Sequence, residues 1–155
     1  MDSLTLQRRL RGAFDARVLN HGDYNLVYGQ PSGTATPLVI GYRRLPRELV
    51  LCPVDPRRPD VSLAADPAEI VTVGLNNIAT LADTGSGYQL ETVTGHRTWF
   101  EVSPAPRVPV GDLSEDGTAT LDQAADAADF HEFMGEFMDH LDSYYAQVDM
   151  PQHAW

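Results

Sequence analysis

The last third of the chain carries a stripe that only one kind of element satisfies. Ala127, Phe130, Met134, Phe137, Leu141, Tyr144 and Val148 recur at alternating intervals of three and four. That is one face of an α-helix sustained for more than about five turns. Phe133, Met138 and Tyr145 widen the face, and Asp122, Asp126, Asp129, Glu132, Glu136, Asp139 and Asp142 cover much of the remainder. So broad an aromatic face needs a sheet to lie on, and the chain is expected to supply it.

The preceding residues read as that sheet with a helix ahead of it. Leu6, Leu10, Ala13, Phe14 and Val18 form an apolar helical face that Asp2 or Ser3 can cap, and Asn20-His21-Gly22-Asp23 ends it. Tyr24 to Tyr28, Leu38 to Tyr42 and Glu48 to Cys52 alternate as strands of an antiparallel meander. Tyr88 to Val93 and Arg97 to Val102 form a hairpin about Thr94-Gly95-His96, which sends Trp99 and Phe100 to opposite faces. Residues 103–120, with three prolines and two glycines, are expected to be a long, mobile loop.

The stretch between these strands admits two readings. Asp66-Pro67-Ala68-Glu69 has the form of a helix start, Val71, Leu75, Ile78 and Ala82 recur at four, three and four, and Asp83-Thr84-Gly85 supplies a stop. These three signals predict a helix. Against it, Val71, Val73 and Leu75 alternate as in a strand. With the helix, the chain is a single α+β domain over 1–155 in the order αβββαββα.

Charge narrows the function. The 155 residues carry a net charge of −11 and no lysine. Residues 1–58 hold nine arginines against five acids, and residues 59–155 hold two arginines against 17 acids. Such a field disfavours nucleic acid and anionic membrane and favours a protein partner. No apolar run approaches the roughly 20 residues that span a bilayer, and no apolar segment follows Arg8, Arg9 and Arg11, so no signal peptide is expected. The lone cysteine, Cys52, lies in an apolar run and reads as a buried, inert thiol in a cytoplasmic protein.

No phosphate-binding loop, nucleophile elbow or zinc signature is present. Glu132, Glu136 and His140 share a helix face at spacings of four, but they are read as a solvated acidic face and not as metal ligands. The arginines Arg8, Arg9, Arg11, Arg43, Arg44 and Arg47 are read as solvated faces balancing the acidic final helix. No catalytic residue, metal or cofactor is assigned.

From Asp66 on, the chain offers Gly74-Leu75-Asn76-Asn77-Ile78 in a presumed helix, the hairpin Gly87 to Val102, a proline-bearing connection and a long acidic, aromatic helix. In this order it resembles the type III secretion chaperone-like fold, which includes class I secretion chaperones and YbjN-type proteins. The resemblance implies a bacterial, cytoplasmic, non-catalytic homodimer that holds an extended segment of a partner protein. It implies a dimer contact at Val71, Leu75 and Ile78, and a partner groove formed by Leu6, Leu10, Phe14, Leu26 and Tyr28. Two alternatives stand beside it. A strand over 68–82 would make seven strands closed by one C-terminal helix, a PH-like barrel adaptor. The charge alone would also suit a small acidic immunity or regulatory protein.

Overall fold

The computed structural model describes residues 1–31, 36–58 and 70–149, with side chains through Tyr144. Helix α1 (Ser3–Arg17) opens the chain, with the Asp2 carboxylate accepting the Thr5 N–H at 2.7 Å as its cap. Strands β1 (Asn25–Pro31), β2 (Leu38–Arg44), β3 (Arg47–Pro53), β4 (Val71–Gly74), β5 (Ile78–Asp83), β6 (Tyr88–Thr92) and β7 (Arg97–Glu101) follow. Strands β8 (Arg107–Pro109) and β9 (Thr118–Thr120) form a separate hairpin around a 3-10 turn, and α2 (Ala124–Asp149) closes the order. The fold is α+β, with a seven-stranded antiparallel sheet and a long C-terminal helix.

The αβββαββα order is corrected at its middle helix. Residues 71–83 form two strands joined at Leu75–Asn77. The Asn77 side chain ties that turn: Oδ1 accepts the Gly74 N–H and Nδ2 donates to the Thr72 carbonyl, both at 2.8 Å. Spacings of four and three are shared by a helix and by two strands with a turn between them. β-branched Val71 and Val73 decide for the strand once β3 offers a partner edge, with Val73 opposite Leu49 and fully buried. The Asp66-to-Glu69 start signal lies outside the described residues. Residues 103–120, expected as a loop, carry the β8–β9 hairpin, whose Val108 and Ala119 are buried.

The sheet runs β4-β3-β2-β1-β7-β6-β5. Strand β1 serves both halves: residues 25–29 pair with β2, while Gln30 and Pro31 pair with β7. The sheet therefore bends at β1 and folds its halves toward each other. The space between them is the inner core, and α2 plugs it with Phe130, Phe133, Met134, Phe137 and Leu141. Tyr42 of β2 rises between Phe130 and Phe133, with ring centroids 5.2 and 4.9 Å away. Aromatic pairs at this spacing add roughly 1 kcal/mol each to the area they bury.

A second core lies on the other side of β1–β4. There Leu6, Leu10 and Phe14 of α1 pack on Tyr28, Val39, Val50 and Cys52, and the β8–β9 hairpin completes the cover. Burial on both faces explains the unbroken apolar runs Leu38–Tyr42 and Leu49–Cys52. The β5–β7 half is different: its inward residues Tyr88, Leu90 and Phe100 are buried, while Gln89 and Arg97 on its outer face are exposed.

Polar contacts fix α2 in place. Arg44 Nε donates to Glu136 at 2.9 Å and its Nη2 donates to Asp129 at 3.1 Å. Arg47 reaches the same Glu136 oxygen at 3.1 Å, and the Tyr42 hydroxyl donates to Asp129 at 2.7 Å. Arg44 and Arg47 thus balance the acidic helix, as the charge pattern implied, and Glu136 is held by two arginines.

Candidate functional site

Helix α1 and β1 bring the five expected groove residues together and then fill the groove. Leu6, Leu10, Phe14 and Tyr28 are buried in the chain's own second core, and only Leu26 is half-buried. A cleft of about 100 Å³ remains beside Leu10, Leu26 and Tyr28. Liquid water takes about 30 Å³ per molecule, so this space suits a few waters and not a polypeptide. The expected dimer residues fall on β4, the turn and β5. Ile78 is buried in the inner core, while Val71 and Leu75 are half-buried at its rim. They no longer share a helix face.

The larger cleft opens between the β5–β6 turn and α2 and has a volume of about 390 Å³, within the range of small-ligand sites. One wall is the turn from Asp83 to Tyr88. The Asp83 carboxylate accepts the Gly85 N–H at 2.8 Å, and the Thr84 N–H donates to the Gly87 carbonyl at 2.9 Å. Gly87 is required here because a Cβ would lie 2.5 Å from the Phe100 carbonyl and 2.8 Å from the Trp99 ring. Trp99, half-buried, thereby lies over the turn on the outer face while Phe100 is fully buried. The opposite wall is α2, with His131, Gly135 and Met138.

A tyrosine and a histidine meet at this cleft. The Tyr88 hydroxyl and His131 Nδ1 are 2.6 Å apart, and His131 Nε2 is 3.1 Å from the Val102 carbonyl. A carbonyl only accepts, so Nε2 donates to it; with Nδ1 unprotonated, the ring accepts the Tyr88 O–H there. Burial first, and the Asp83 charge second, push the Tyr88 phenol up to about 12. Both imidazole nitrogens are occupied, which leaves no ring nitrogen to act as a base on a substrate. Among the described residues, no group of three or more His, Cys, Asp or Glu side chains is placed to hold a metal ion.

The cleft reaches β5 at Asp83. Strand β5 ends the seven-strand order, and among the described residues no strand pairs with its outer side. Leu81 of β5 and Met138 of α2 are half-buried against the inner core, as are Val71 and Leu75.

Against family models, curated proteins and solved structures, the chain shows no significant match. Its function rests on its own geometry.

Sequence reasoning passed over Asp83, Tyr88 and His131 as a group. Asp83-Thr84-Gly85 looked like a helix stop, and His131 was one of several polar residues on an acidic helix. The available signal was Asp-Thr-Gly-Ser-Gly standing between two alternating runs, which is a hairpin turn. No helix among the described residues is long and apolar enough to cross a membrane.

Proposed function

We propose that this chain is a non-catalytic adaptor that takes an extended segment of a partner protein as an added strand along β5, beside α2. The observation that carries this reading is the outer side of β5 at residues 80–83, where no strand pairs among the described residues, next to a cleft of about 390 Å³ that Asp83 lines. Backbone groups at such an edge supply affinity, and pockets for alternate side chains supply selectivity. A seven-stranded antiparallel sheet plugged by the C-terminal helix supports the PH-like barrel form of the adaptor, to which α1 and the β8–β9 hairpin are additions. The chaperone form depended on a groove beside α1, which the chain's own side chains occupy.

The test is a titration of the isotope-labelled chain with an extended peptide of alternating threonine and valine, followed by amide chemical shifts. Shifts are expected along residues 80–83 and on the facing turns of α2. An absence of shifts at saturating peptide, or shifts confined to α1, would overturn the proposal.

A further inference from the structure

We infer that the side chain entering the cleft between the β5–β6 turn and α2 is a basic one, an arginine or lysine of the bound segment, with its cation held by the Asp83 carboxylate. This rests on the adaptor reading and specifies the chemistry of its partner.

The hydrogen-bonding inventory of the cleft points this way. With Nδ1 unprotonated, the Tyr88 proton is given to His131, and the His131 Nε2 proton to Val102. What these groups leave facing the cleft is acceptor capacity on the phenol oxygen. Asp83, the one carboxylate lining the cleft among the described residues, accepts from the Gly85 N–H and has no ion-pair partner among them. A site furnished with acceptors and a carboxylate selects a donor, and most strongly a cationic donor.

The surroundings agree. Glu132, Asp139 and Asp142 are exposed on α2, and none of them is ion-paired among the described residues. The arginines that touch α2, Arg44 and Arg47, are engaged by Asp129 and Glu136. On the sheet side, Arg97 is held by Glu91. The local field is negative, which draws a basic segment in and turns an acidic one away. The shape fits as well. Val102 and Met138 offer apolar contact to an aliphatic stem. Tyr88 and His131 stack with an interplanar angle of 28° and centroids 5.8 Å apart, forming an aromatic wall suited to a guanidinium.

The experiment uses the full chain and two dye-labelled threonine–valine peptides that differ only at the centre, arginine in one and its neutral isostere citrulline in the other. The arginine peptide is expected to bind about tenfold more tightly in low salt. Asp83→Asn keeps an oxygen for the Gly85 N–H, so the fold stands, and it should remove the preference while leaving citrulline-peptide binding unchanged. Gly135→Leu provides a second variant, because a Cβ there meets nothing within 4 Å. It should fill the cleft and also abolish the preference. Equal binding of both peptides along β5 would overturn this inference and leave the adaptor reading intact. Preference that survives Asp83→Asn would overturn the role of Asp83. Failure of both peptides, or self-association of the chain through β5 in light scattering, would overturn the adaptor reading itself.

Discussion

The side-chain amide of Gln123 acts against Tyr28 as the peptide group of a neighbouring strand would. Its Oε1 accepts the Tyr28 N–H at 2.8 Å and its Nε2 donates to the Tyr28 carbonyl at 3.1 Å. Nε2 also donates to the Ser103 carbonyl at 2.8 Å. Gln123 is buried, immediately ahead of α2. It covers the other edge of β1 at Tyr28, a residue still opposite Val39 of β2 and not yet reached by β7, which joins at Gln30. Gln123→Leu would strand a buried N–H and two carbonyls, and we expect a loss of about 3 kcal/mol in urea denaturation. A loss below about 1 kcal/mol would show that water replaces the amide.

The clamp on α2 predicts an acid limb. The Arg44 guanidinium, with the Tyr42 hydroxyl, holds the Asp129 carboxyl below its usual range, and Arg44 with Arg47 does the same for Glu136. Depressed carboxylates stabilise the fold above their unfolded values of 3.8 and 4.5 and lose that contribution as pH falls through the folded values. Stability should therefore decline below about pH 4. Arg44→Met should lower the urea midpoint at pH 6, and the variant and parent curves should converge toward about pH 2. Parallel curves at all pH values would refute a role for these pairs.

The tyrosines predict an alkaline limb of opposite sign. Burial raises Tyr24 and Tyr88 to about 12 each, and it carries Tyr28 and Tyr42 higher still. The unfolded chain loses these protons near pH 10, before the folded chain does, so stability should fall as pH rises from about 10. Absorbance near 295 nm should show these phenols ionising late, together with the loss of far-ultraviolet helix signal. Phenolate absorbance complete near pH 10 in a folded chain would contradict the burial.

Packing under α1 predicts a third effect. Phe14 sits on Gly41 of β2, where a Cβ would fall 2.4 Å from the ring's Cζ. Gly41→Ala should cost about 1–3 kcal/mol through overpacking. Gly41→Ala combined with Phe14→Leu should recover part of it, because the shorter side chain relieves the clash. Thermal denaturation of the single and double variants measures this coupling.

Much of the scaffold was legible because single residues stated it twice. Leu38, Ile40 and Tyr42 alternate in sequence and all enter the inner core. Phe130, Met134, Phe137 and Leu141 keep their spacing and plug the same core. Cys52 lies in an apolar run, is fully buried, and has its thiol pushed up by that burial. Residues 70–83 were not legible, because Val71, Leu75 and Ile78 satisfy both periods and only the partner strand β3 decides between them. The cleft was hidden for another reason. Asp83 and His131 are far apart in sequence, and no local pattern announces that Gly87 brings the turn against β7 and α2 closes the opposite side.

The β1–β4 half is clad on both faces, while the β5–β7 half is clad on one. Native-state amide exchange should record that asymmetry as two opening free energies. Protons of β2 and β3 should exchange only through global unfolding, and those of β5 through a cheaper, local excursion. The region proposed to receive a partner would then also be the one that breathes, so that a bound segment slows exchange most where the free chain exchanges fastest.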